Sequence, residues 1–261
     1  MIAHLRQLYR SRELLYMLVW RDIRVRYKQS IMGFLWAILL PSIIVIAGVA
    51  VRFAMSSYSG QPVSLPEIGS VMVRSCPWAF VLSALKFSTN CLTANPSLVT
   101  KIAFPKEVFP IASTVTALFD MLIAFVAVLA ILIVAGLPLT FGALWALPQV
   151  LIAFALCLGL GFVLSAGNLF YRDVKYLVDA VLPFAIFFTP VLYTLADTGK
   201  WAKLIRLNPM SPLLEGIAGS IVSGAAPDPW WTLYSLLWAA VLLLGGYALF
   251  KRLEDDFAES I

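Results

Sequence analysis

The chain has 261 residues, 61% of them hydrophobic and only 13% charged, with a net charge of +5. A soluble domain carries roughly 25% charged and about 45–50% apolar residues, so this composition excludes an ordinary soluble enzyme and makes lipid the solvent. At about 20 residues per crossing, six transmembrane helices take roughly half the chain. We therefore expect an all-α membrane protein with one transmembrane domain over 1–261 and no separate soluble domain.

The charge is concentrated rather than spread. Seven of the 19 Lys and Arg lie in residues 1–28: Arg6, Arg10, Arg12, Arg21, Arg24, Arg26 and Lys28. Such a juxtamembrane cluster orients a membrane protein and is drawn to anionic lipid, and no basic domain remains to hold nucleic acid. Cys76, Cys91 and Cys157 sit in apolar stretches without paired spacing, which reads as packing rather than a disulfide or zinc framework. The first apolar run starts only near Ile31, so a cleavable signal is not expected.

Residues 14–28, LLYMLVWRDIRVRYK, form an amphipathic interface helix. At 100° per residue Arg21, Arg24 and Lys28 share one face, and Leu15, Leu18, Val19, Ile23 and Val25 share the other. Asp22 and Arg26, four apart, are placed to pair. Span one covers 31–52, with Pro41 as a potential kink, and a polar loop follows to Pro66. Span two, 68–93, is interrupted by Arg74, placed to snorkel outward, and by the deeper Lys86. Residues 95–106 are too broken by proline to span. From Met121 to Tyr171 no charged residue occurs, giving span three at 108–135 and span four at 144–168, with Asp120 as the only charge in the pair. Span five is 176–195 and span six 230–250. Between them, 200–225 reads as short helices on the outer side, a lid over an exit.

The segments expected inside, 1–28, 94–107, 168–175 and 251–261, hold seven, two, two and two of the 19 basic residues. Six crossings then leave both termini in the cytoplasm.

Enzyme chemistry is nearly absent. The only histidine is His4, no GxxxxGK[ST] loop occurs, and no metal cluster is suggested, so neither catalysis nor nucleotide hydrolysis is expected of this chain. Asp120 and Asp179 fit either a proton relay or pairing with Lys86 and local polar groups. The 17 Phe, nine Tyr and eight Trp exceed what an interface belt needs. Aromatic faces in spans one, two and five suit stacking on a sliding sugar polymer, beside their ordinary packing and anchoring roles.

Four motifs occur in series: RDIRVRYKQSIMGFLWAILLP (21–41), FPKEVFP (104–110), NLFYRDV (168–174) and LNPMSP (207–212). In this order and spacing the chain resembles the polysaccharide-export branch of type-2 ABC transporter permeases, nearest to exporters of lipid-linked O-antigen, with teichoic-acid and capsule exporters as relatives. The resemblance implies a homodimer in the bacterial inner membrane, paired with two separate ATPase subunits that bind ATP and Mg. It makes 95–106 a coupling helix, with Lys101, Lys106 and Glu107 as polar contacts and Pro96, Leu98 and Ile102 beside them. It places an external gate at Asn208, Pro209 and Met210. It sends the polymer past aromatic residues, here Phe34, Trp36, Trp78, Phe187, Phe188 and Tyr193. The diphosphate head of such a cargo cannot cross hydrocarbon unaided, and Arg24, Arg26 and Lys28 are the candidates to collect it. One departure stands out: many relatives carry an arginine where this chain has Ala218.

Rival readings are a same-fold permease for a drug or small lipid, an ion-coupled transporter using Asp120 and Asp179, and a membrane transferase. The first lacks the 21–41 motif, the second predicts inverted repeats that are not seen, and the third lacks a base or metal cluster.

Overall fold

The structure is a computed structural model describing residues 11–28, 33, 35–60, 62–101 and 104–258. Phe34 and Ile102, assigned above to the channel and the coupling segment, lie outside the described residues. Ten α-helices are named here in chain order: α1 (Arg12–Lys28), α2 (Leu35–Ser59), α3 (Leu65–Asn90), α4 (Pro96–Lys101), α5 (Val108–Val134), α6 (Ala146–Phe170), α7 (Asp173–Val181), α8 (Ala202–Arg206), α9 (Met210–Val222) and α10 (Pro229–Leu253). Short 3-10 turns of helix cover Phe141–Trp145, Leu182–Phe188, Leu195–Trp201 and Glu254–Ala258, and no strand occurs among the described residues.

Five helices, α2, α3, α5, α6 and α10, are long and apolar enough to cross a membrane. α3 is the hub. It is the most enclosed of the five, with α2, α5, α6, α7 and α9 packed around it. Its buried face runs through Val73, Cys76, Phe80, Ala84 and Leu85. α2 and α10 instead leave much of their surface exposed, as helices facing lipid or a partner do. Pro41 and Pro77 lie inside α2 and α3 without ending either helix.

Span five departs from expectation. The stretch 176–195 is not one helix: α7 stops at Val181, a 3-10 turn covers Leu182–Phe188, and 189–194 is irregular. Pro183 sits in the first turn of the 3-10 piece, and Pro190 removes a further amide donor. Irregular backbone at membrane depth requires a protein partner. Asn208 supplies it, its Nδ2 donating to the Phe188 carbonyl at 3.2 Å and to Thr189 Oγ1 at 2.9 Å.

Within 200–225, α8 has no buried residue, whereas α9 is not a surface helix. α9 is buried along Leu213, Leu214, Ile217, Ala218 and Ile221, packed against α3 and α6. Ala218 is 1% exposed, so an arginine there would have no room.

The tightest crossing joins α6 and α10. A Cβ added at Gly159 would sit 2.5 Å from the Leu242 carbonyl carbon, and one at Gly246 would collide with the Gly159 carbonyl oxygen. Close backbone approach through small residues is how membrane helices gain packing energy without a hydrophobic drive. Gly245, one residue away, has open space around it. We expect Gly246→Val to lower the thermal midpoint of the detergent-solubilised protein by more than about 5 °C and Gly245→Val to leave it nearly unchanged. Equal effects from the two substitutions would contradict this crossing.

Candidate functional site

The helix ends form two polar clusters at opposite ends of the bundle. One holds α1, α4, the 168–175 connection and the end of α10; the other holds residues 62–67 and 194–215.

At the first end, α1 lays Leu18 into a cluster with Leu92, Val99, Phe109 and Phe162, with Leu14, Leu15 and Val19 packed beside it. Val25, expected on this apolar face, is 60% exposed. Arg26 and Tyr27 both donate to the Asp120 carboxylate of α5, and the Arg26 guanidinium lies 4.1 Å from the Phe87 ring centre. Asp22 pairs with Arg21 at 2.9 Å instead of with Arg26. Burial lowers the Arg26 pKa and raises that of Tyr27 from their ordinary values. Arg26 is thus an anchor already answered by a carboxylate, whereas Arg24, against the Trp20 ring, and Lys28 are exposed.

The 95–106 segment, which the resemblance makes a coupling helix, is organised from behind. α4 exposes Pro96, Ser97 and Thr100, half-buries Leu98, buries Val99 and ends at Lys101. Lys106 packs over the Phe104 ring at 4.5 Å, and burial lowers its pKa. Glu107 corrects the sequence reading: it is 0% exposed and turned inward. Lys251 of α10 donates to it at 2.6 Å and to Glu254 at 2.6 Å, and Glu254 accepts the Lys106 backbone amide at 2.8 Å. A contact residue expected on the surface is instead half of a clasp joining the coupling segment to the last helix. Glu254, in a tail of undetermined role, completes it.

At the far end two arginines lie buried, Arg52, which the sequence reading leaves unused, and Arg74. Arg52, 7% exposed, pairs with Asp197 at 3.0 Å and lies 3.9 Å from Glu67. Arg74 does not snorkel outward; it is 5% exposed and donates to the Tyr193 carbonyl at 2.8 Å. Burial alone would raise the Asp197 carboxyl, but the Thr194 hydroxyl and amide, with Arg52, outweigh it and hold its pKa below the ordinary value. Asn208 braces the broken fifth segment, and its Oδ1 accepts the Met210 amide at 3.1 Å. Met210 is buried, and the Pro209 carbonyl accepts Ser235 at 2.8 Å. The signal for Arg52 and Arg74 was present as two cations in apolar helices with acidic residues in the neighbouring loops.

The aromatic residues divide. Trp36, Phe187 and Phe188 are 50%, 61% and 71% exposed, on α2 and the broken segment. Trp78 is 3% exposed inside the core and offers a polymer no surface within the chain. Tyr193 is half-buried, its hydroxyl donating to the Phe187 carbonyl at 2.9 Å. Asp179 pairs with Lys86 at 3.1 Å, while Asp120 pairs with Arg26 rather than Lys86.

Removing one partner of a buried ion pair costs about 3–5 kcal/mol, whereas replacing both with neutral groups costs far less. Lys251→Met should therefore destabilise the solubilised protein strongly, and adding Glu107→Gln should recover much of the loss in thermal midpoint. Additive losses would refute the clasp.

Comparison with known proteins places this geometry. The family model described as "ABC-2 type transporter" matches residues 13–222. The chain is 29% identical over 269 residues to the O-antigen export system permease protein RfbA of Myxococcus xanthus, covering all of both chains. It is 26% identical over 257 residues to a protein of the same name from Klebsiella pneumoniae, covering 95% of this chain and 94% of that one. With its multiple apolar helices and a family match over most of its length, the chain belongs to the ABC-2 type transporter family of membrane transport subunits.

Proposed function

We propose that the chain is the membrane-spanning permease of an ATP-driven exporter that carries lipid-linked polysaccharide, O-antigen, from the cytoplasm across the bacterial inner membrane. The observation that carries this reading is the end-to-end similarity to permeases named for O-antigen export. In this reading two copies pair with two nucleotide-binding subunits, which bind ATP and Mg. The basic end faces the cytoplasm, both termini included, and the broken fifth segment makes the sixth crossing together with the five long helices.

The physical steps follow from the clusters. The partner ATPase engages the exposed face of α4 at Pro96, Ser97 and Thr100, with Leu98 and Lys101 beside it. Nucleotide-driven closure pushes α4, and the Glu107–Lys251–Glu254 clasp transmits that push to α10. At the far end the Arg52–Asp197 pair and the Asn208 brace hold the exit closed until the push reaches them. The exposed aromatic faces of Trp36, Phe187 and Phe188 present π surfaces toward the second copy and the passing sugars. Arg24 and Lys28 raise the local concentration of the anionic lipid head by their field. An ion-coupled relay through Asp120 and Asp179 is disfavoured by their pairing with Arg26 and Lys86, since a relay carboxylate must be free to take up protons.

Deleting the chain, or disabling the phosphate loop of its ATPase, should remove O-antigen from the cell surface while lipid-linked polymer accumulates inside. Ser97→Trp with Thr100→Trp should lower export at least about tenfold with the permease amount in the membrane unchanged. Polymer transport by the chain alone under a proton gradient would refute this function.

A further inference from the structure

α3 and α7 meet along a seam that carries two cavities one helical turn apart. The first, of about 390 Å³, opens at the basic end between Asn90, Thr93, Asn168, Arg172, Lys175 and Tyr176. The second, of about 380 Å³, lies further up the same helices, with Lys86 and Asp179 at its mouth and Leu40, Leu82, Phe87 and Leu182 in its wall. Asn90 and Lys86 are successive turns of α3 joined by the Asn90 side chain, which donates to the Lys86 carbonyl at 3.0 Å. Tyr176 and Asp179 are the matching turns of α7. Polar cavity and apolar cleft therefore lie on successive turns of the same two helices.

The first cavity is built rather than incidental. Asn168 is 3% exposed, donates to the Thr89 carbonyl at 2.9 Å and accepts the Lys175 amide at 3.1 Å. That pins the 171–175 turn so that Arg172 and Lys175 face one space. Neither makes an ion pair with a described residue. Two unanswered cations beside the exposed Tyr176 phenol and the second amide hydrogen of Asn90 match a phosphoanion. The adjoining apolar wall matches a hydrocarbon chain. Arg26, the obvious candidate for an anion, is already occupied by Asp120.

We infer that the α3–α7 seam binds an anionic amphiphile, a lipid phosphate or diphosphate, with its head between Arg172 and Lys175 and its tail in the cleft beyond Lys86. The inference rests on the export reading and names the seat of the lipid head in it. Lys86, 59% exposed and paired to Asp179, stands where the head meets the tail.

The test uses the complete permease–ATPase complex in nanodiscs of neutral lipid, with radiolabelled geranylgeranyl diphosphate as the probe and sodium pyrophosphate as the competitor. We expect saturable binding to the wild-type complex, a Kd at least about tenfold weaker in Arg172→Gln/Lys175→Gln, and a change of less than about twofold in Lys200→Gln/Lys203→Gln, which removes two exposed cations at the far end. Arg172→Lys/Lys175→Arg keeps both charges and should bind within about threefold of wild type, which separates lost recognition from lost folding. Unchanged binding in Arg172→Gln/Lys175→Gln overturns the site and leaves the export reading standing. Pyrophosphate competing as strongly as the prenyl diphosphate overturns the tail cleft. A wild-type complex that exports polymer without saturable probe binding overturns the site alone; failure of both binding and export overturns the function with it.

Discussion

A carboxylate fully removed from water costs several kcal/mol unless a cation meets it, and Glu107 meets that requirement with Lys251, 144 residues further along the chain. The pair joins the start of α5 to the end of α10, and Glu254 extends it to the Lys106 amide of the coupling segment. Phe250 and Phe257, both 0% exposed, close over the same region with Phe162 and Phe170. In the proposed cycle the ATPase pushes α4, and a segment so pushed needs a stiff backing. Here an ion pair and an aromatic cluster provide it.

The second constraint is backbone satisfaction in lipid. A helix broken at Pro183 and Pro190 frees carbonyl groups that hydrocarbon cannot hydrate. Asn208, Arg74 and the Tyr193 hydroxyl take up the Phe188, Tyr193 and Phe187 carbonyls respectively. The element with the least regular backbone is thus tied by polar side chains to α3 and to the turn before α9. Those ties are few and separable, which suits the gate motion proposed for it.

Five long helices, a helix over Arg12–Lys28 and a short non-spanning helix at Pro96–Lys101 were legible because hydropathy and charge patterning report directly on what lipid and water each accept. The break in the fifth segment was not, since its composition is as apolar as that of a spanning helix and only its prolines and the distant Asn208 betray it. Glu107 looked like a surface contact because its partner is remote in sequence. Arg74 looked like a snorkelling residue for the same reason: the carbonyl it meets lies 119 residues away. Trp36 and Trp78 are equivalent on composition, yet one faces outward and the other lies beneath the packing of α3. The motif 168–174 marked a connection, but not that Asn168 would shape it into a pocket. Long-range pairing is what a local reading of one sequence lacks.

In the proposed cycle the two ends are unequal: a clasp beside α4 that holds throughout, and at the far end a pair that must part for polymer to leave. A cross-link tests this directly. Arg52→Cys with Asp197→Cys, joined by a short bifunctional thiol reagent in the reconstituted complex, should abolish polymer export while ATP hydrolysis continues, and a cleavable linker should restore export when cut. Export at the uncross-linked rate with cross-linking complete would contradict the account.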